Sequence, residues 1–132
     1  MEEKKHITLK IIEELDEIQQ FLESVPEGDD PSVLIERLTM LNAYMARTGF
    51  LMAEAKADQD AAIAGVFAEH SKQILQMPAT VSQKFINALC KDENYYATLI
   101  ERIHRTCVHQ GDNIRTQISF AKEDLSLTRR GY

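Results

Sequence analysis

The sequence predicts an all-α protein, a long antiparallel helical hairpin with a shorter N-terminal helix laid along it. Three observations carry that prediction. Apolar residues recur at alternating spacings of three and four along most of the 132 residues. The three prolines fall at only two places, Pro26/Pro31 and Pro78, and glycine is scarce, which argues against a turn-rich β fold. The segments on either side of Met77-Pro78-Ala79-Thr80, about 31–76 and 80–126, are nearly equal in length. Proline disfavours the α conformation at Met77 and cannot donate a backbone hydrogen bond, so one helix ends there. Thr80 with Gln83 reads as a capping box that starts the next.

The first helix is expected over about residues 3–25. Ile11, Leu15, Ile18, Leu22 and Val25 form a heptad seam, widened by Ile7, Ile12 and Phe21. Glu13, Glu14, Asp16, Glu17 and Gln19 give it a solvated face. Pro26-Glu27-Gly28-Asp29-Asp30-Pro31 is the clearest break, where Asp30 serves as N-cap and Pro31 as the first helical residue.

The second helix carries Leu34, Leu38, Leu41, Met45, Leu51 and Met52 in its first half. It then turns to alanine and glycine between Ala53 and Gly65 before Val66, Phe67, Ile74 and Leu75 restore bulk. Gly49 and Gly65 each cost about 1 kcal/mol of helix propensity relative to alanine, a cost that close helix approach offsets. The third helix carries Phe85, Leu89, Tyr96, Ile100, Ile103, Cys107, Ile114, Ile118, Ala121 and Leu125. Gln110 and Gly111 interrupt this seam, but it resumes in phase at Ile114, which predicts a continuous helix with a frayed tail from Thr128 to Tyr132. Folding about Pro78 sets Tyr95 and Tyr96 opposite Ala61 and Ala62, and Cys107 and Val108 opposite Gly49 and Phe50. A slip of one turn is also tolerable.

Size and composition bound the function. The chain is one domain, residues 1–132, large enough for its own core. Its net charge of −6 is uneven: residues 1–30 hold ten acids and three bases, residues 100–132 four acids and six bases. Complementary ends, within or between subunits, fit that asymmetry better than a general nucleic-acid binder does. Cys90 and Cys107 lie roughly 25 Å apart on one straight helix, too far for a disulfide within the chain. Reduced thiols and an N-terminus without an apolar run predict a cytoplasmic protein, and no stretch is long and apolar enough to span a membrane.

No pattern points to catalysis. Glu101-Arg102-Ile103-His104 is a Glu-x-x-His on a helix, the unit that di-iron bundles use twice; Glu69-His70 lacks the spacing to be its mate. His104 and Cys107 share a face, but His109 is rotated away, so the three do not make a zinc site. Phosphate loops and nucleophile-elbow motifs are absent from the sequence. The protein is expected to be no enzyme and to need no cofactor, with a metal-binding bundle as a minor alternative.

From Leu41 to Leu125 the chain resembles a loose group of short helical proteins encoded by bacteriophages and prophages. The matching pieces are Ala43-Tyr-Met-Ala-Arg47, Met52-Ala-Glu-Ala-Lys-Ala57 and Asp112-Asn-Ile-Arg-Thr-Gln-Ile-Ser-Phe-Ala-Lys-Glu123. In such proteins a similar arginine, then Ile-Ser, then Lys-x-Glu closes the last long helix, and they often lie among replication and recombination genes. The resemblance implies a non-enzymatic accessory role and assigns no catalytic residue. The acidic first helix is outside it.

Two interaction surfaces follow. Hairpin arms of roughly 70 Å outrun a first helix of roughly 35 Å, so the distal half is left in two layers. An oligomer interface, with a dimer favoured, is expected there through Ala61, Ala62, Phe67, Phe85, Tyr95, Tyr96 and Leu99. Arg102, Arg105, Arg115, Lys122, Arg129 and Arg130 form the one basic stretch, expected chiefly to pair with the acidic first helix. The alternative is an accessory factor of phage replication or recombination that contacts nucleic acid through Arg115, Lys122, Arg129 and Arg130.

Overall fold

The computed structural model describes residues 5–131, all-helical in its regular structure. Helix α1 is Leu9–Glu23, α2 is Pro31–Gln76, α3 is Ala79–Leu89 and α4 is Lys91–Arg129. The expected helical start at Glu3 and the terminal Tyr132 lie outside the described residues. Helices α2 and α4 form the long antiparallel pair, and α1 packs against α4 along one half of it.

The boundaries follow local chemistry. The Asp30 side chain accepts from the Ser32 N–H at 3.2 Å, with Pro31 behind it, and α2 begins there. Met77 is extended (φ −92°, ψ 146°), as a residue before proline should be, and ends α2 at Gln76. The capping box at Thr80 does not form. Helix α3 starts one residue earlier, at Ala79, its N-cap Pro78 offers no side-chain acceptor, and Gln83 bonds Asn87 instead.

Three expectations need correction. The first helix does not reach back to residues 5–8; these are non-helical and bend at His6 and Ile7, where Asp58 on α2 takes both backbone N–H groups. The tail is helical to Arg129, and Gly131 closes it with φ +77°. The second arm is continuous through Gly111 but breaks at Cys90 (φ −105°, ψ 24°), which separates α3 from α4.

Helix α2 also breaks in its distal part, at His70 (φ −120°, ψ 21°), about a turn nearer the tip than Cys90. A heptad seam on a straight helix drifts about 20° per repeat, which over a 46-residue arm carries the apolar stripe away from the interface. Between and beyond the two breaks the tip has a small core of its own: Ile74, Ile86 and Cys90, with Ala62, Ile63, Val66 and Phe85 around them. The His70 ring meets Phe85 edge-on at 5.4 Å across the bend.

The main core joins Leu15, Ile18 and Leu22 of α1 to Leu34, Leu41, Leu51 and Ala55 of α2 and Ile100, Ile103, Cys107 and Ile114 of α4. At its centre Thr48 is wholly buried. Its hydroxyl donates to the Tyr44 carbonyl at 2.8 Å and receives the His104 Nδ1 hydrogen at 3.0 Å. His104, not Cys107, lies over Gly49, where a Cβ would stand 3.4 Å from the imidazole. Gln59 faces Asn94 at 2.7 Å. The arms are therefore slipped by about one turn from the expected pairing, a distance of roughly 5 Å. A Cβ at Gly65 would touch nothing within 4 Å, so no close approach offsets that glycine.

Candidate functional site

The end of α1 is secured by side chains that the seam pattern marks as interruptions. Gln110 donates its amide to the Leu22 carbonyl at 2.9 Å. Arg37 lies over the Phe21 ring, 4.4 Å from its centroid, and donates to the Phe21 and Ser24 carbonyls at 3.1 and 3.0 Å. These donors satisfy carbonyls that a helix C-terminus leaves open. Midway along α1, Glu14 pairs through both oxygens with Arg47 of α2, at 2.6 and 2.9 Å. The bonds from Arg47 hold the Glu14 carboxyl below its ordinary range.

Ahead of α1, residues 5–8 form a strap over the hairpin. His6 stands between two carboxylates of α2, with Nδ1 2.6 Å from Asp58 Oδ1 and Nε2 3.1 Å from Glu54 Oε2. An imidazolium, with two N–H donors, satisfies both at once. Lys5 reaches Glu93 of α4 at 3.2 Å. Burial raises the Asp58 pKa, but the His6 and Ile7 N–H groups and the His6 ring outweigh it and leave the carboxyl below its ordinary value. The strap carries α1's coverage to Asp58 and Glu93, a turn or more past the limit set by helix length alone.

Beyond the Gln59–Asn94 clasp nothing in the described residues covers the hairpin, and this distal arm is the first candidate surface. Of the residues expected at an interface there, Phe67 is exposed. Ala61, Ala62 and Phe85 are half-buried, Ala62 and Phe85 against the small tip core. Tyr95, Tyr96 and Leu99 do not lie beyond α1, where the helix lengths alone put them. They line a groove with Ile12, Leu15 and Asp16, Tyr95 59% exposed, and Tyr96 also flanks the strap. Leu75, exposed to 85%, Val81 and Leu89 complete the outward apolar side chains of the arm. Leu75 and Leu89 were legible as seam residues; only the bend turns them outward.

The second candidate surface is the basic end of α4. The pairing expected between it and the acidic first helix does not occur: Glu14 goes to Arg47, Arg105 to Glu101 at 2.6 Å, and Arg115 to Asp112 at 3.1 Å and Asn42 at 3.2 Å. Helix α1 ends near Gln110 and never reaches residues 118–130. Lys122, Arg129 and Arg130 are exposed and make no ion pair among the described residues.

Glu101 and His104 face different partners, Arg105 and Thr48. Cys90 and Cys107 are free and buried, and burial pushes both thiols up. No helix among the described residues is long and apolar enough to cross a membrane. The protein-family models, characterised proteins and solved structures compared with the chain include no match to it.

Proposed function

We propose that this chain is a non-enzymatic helical assembly protein, an accessory or adaptor of the phage and prophage type, whose protomers associate through the distal arm. One observation carries the reading. Past the strap the arm buries three core residues, Ile74, Ile86 and Cys90, yet turns Phe67, Leu75, Val81 and Leu89 outward. A two-helix tip with so small a core gains order from a second layer, and a second copy supplies one at no cost in new sequence. A C2 dimer is the commonest closed arrangement, in which two arms pack side by side as four helices. The likeness of residues 41–125 to short phage-encoded helical proteins supports the accessory role.

The test is light scattering coupled to size exclusion at micromolar concentration. The native chain is expected at a multiple of the protomer mass that persists over a tenfold dilution. Phe67→Ser with Leu89→Ser is expected to lower it. A native chain at protomer mass throughout overturns the reading.

The nucleic-acid alternative is weaker on the same surfaces. Arg115 is already engaged by Asp112 and Asn42, and Glu123 and Asp124 interleave the remaining bases. A chain of net charge −6 repels phosphate at any distance beyond direct contact.

A further inference from the structure

The two long arms do not end together. Arg115 lies beside Asn42, and Gly111 beside Leu38 and Met45. Continued at the register of Gln59 with Asn94 and Gly49 with His104, α4 passes the start of α2 near residue 122. The last seven residues, 123–129, then project roughly 10 Å beyond it. The seam projects with them. Ile114 is buried and Ile118 half-buried, but Leu125, the next large seam residue, is 54% exposed because its own chain has no helix opposite. Phe120 and Leu127, seven residues apart, add a second apolar stripe, exposed to 61% and 42%. A helix end that is apolar on two faces is suited to being wrapped, not to standing in water. It ends in Arg129 and Arg130.

At the same end of the molecule a groove of about 390 Å³ lies between the α1–α2 connection and α2. Phe21, Val25, Val33 and Met40 line it with Glu27, Glu36 and Arg37, and Arg37 is already engaged by the Phe21 and Ser24 carbonyls. The connection is acidic: residues 23–30 hold Glu23, Glu27, Asp29 and Asp30 and no base. Glu27, Asp29, Asp30 and Glu36 make no ion pair among the described residues. An apolar projection that ends in bases and an apolar groove with two acids in its lining thus occur on one chain, and Arg129, Arg130, Glu27 and Glu36 make no ion pair among the described residues.

We propose that the projecting end of α4 docks into this groove on a second copy of the chain, Phe120, Leu125 and Leu127 entering the groove and Arg129 and Arg130 meeting Glu27 and Glu36. The exchange is reciprocal about a two-fold axis, so both ends are satisfied together. The contact is at the opposite end of the hairpin from the distal arm and does not depend on it. A protomer with both contacts has two self-complementary surfaces, the minimum for an assembly larger than a dimer.

Charge reversal tests it, read by light scattering in the native chain and in the Phe67→Ser, Leu89→Ser background that removes the distal contact. Arg129→Glu with Arg130→Glu is expected to halve the assembly mass, and Glu27→Lys with Glu36→Arg to do the same. All four substitutions together are expected to restore it, which no merely structural effect of either pair does. All six positions are exposed, so circular dichroism should show unchanged helicity. A mass unchanged by either pair overturns the proposal, as does failure of the fourfold variant to recover. Salt-dependent binding of a single-stranded DNA oligonucleotide, lost in the arginine pair while mass stays constant, also overturns it and makes nucleic acid the occupant. Failure of the distal reading would instead appear as equal masses for the native chain and the Phe67, Leu89 background.

Discussion

The Asp58 carboxylate accepts the His6 backbone N–H at 3.0 Å and stands 2.6 Å from the His6 ring, 52 residues away in sequence. It also takes the Ile7 N–H at 3.0 Å. One side chain thus binds two peptide groups and an imidazole, and holds residues 5–8 out of the helix that the seam pattern alone continues. Asp58→Ala is expected to cost about 1–3 kcal/mol, the range for removing a partner of buried or charged hydrogen bonds. Hydrogen exchange at His6 and Ile7 should accelerate. Unchanged protection at both amides would show that something other than Asp58 holds the strap.

The same carboxylate gives the strap an acid limit. Its pKa is depressed below the ordinary 3.8, so the folded state binds this proton less readily than the unfolded chain. The stabilisation is fully present well above pH 3.8 and is lost as pH falls through the lowered value. Glu14, lowered by Arg47, adds loss in the same direction. Melting temperature measured from pH 7 downward should fall in this range, and Asp58→Ala should flatten the fall. An equal slope in the variant would refute the assignment.

Thr48 and His104 make the central polar link of the core. Thr48→Val keeps the shape, removes the acceptor for His104 Nδ1 and is expected to lower stability by about 1–2 kcal/mol. Denaturant unfolding checks it. A variant as stable as the native chain would mean that water takes over the imidazole.

Gly65 sits inside α2 with open space where a Cβ would be. Gly65→Ala should stabilise the chain by up to about 1 kcal/mol through helix propensity alone. Gly49→Ala should gain less, because its Cβ would sit 3.4 Å from the His104 ring. A loss of stability at Gly65 would reveal a neighbour at that face, such as a second protomer.

Cys90 and Cys107 are buried and their thiols raised, so both should react slowly with a thiol reagent at pH 8 in the folded protein and fast after unfolding. Cys90 lies in the small tip core and should open first, by local unfolding of the arm. Equal protection of the two thiols would show that the tip is as stable as the body.

The sequence by itself determined the helices and most of their ends. Pro31 behind Asp30 and Pro78 behind Met77 act on neighbouring dihedrals, and a seam repeating every three and four residues needs no partner to be read. It also determined that the first helix leaves one half of the hairpin uncovered. Tertiary structure alone decided the rest. The breaks at His70 and Cys90 carry no glycine or proline; they answer a seam drift that accumulates over a whole arm and is relieved only where two arms can bend together. The strap depends on Asp58, the α1 cap on Gln110, and the one-turn slip on His104 finding Thr48. Each joins residues far apart in sequence, and local pattern holds no record of such a meeting. The basic end of α4 shows the same limit: charge alone paired it with α1, but the reach of α1 placed that partner out of range.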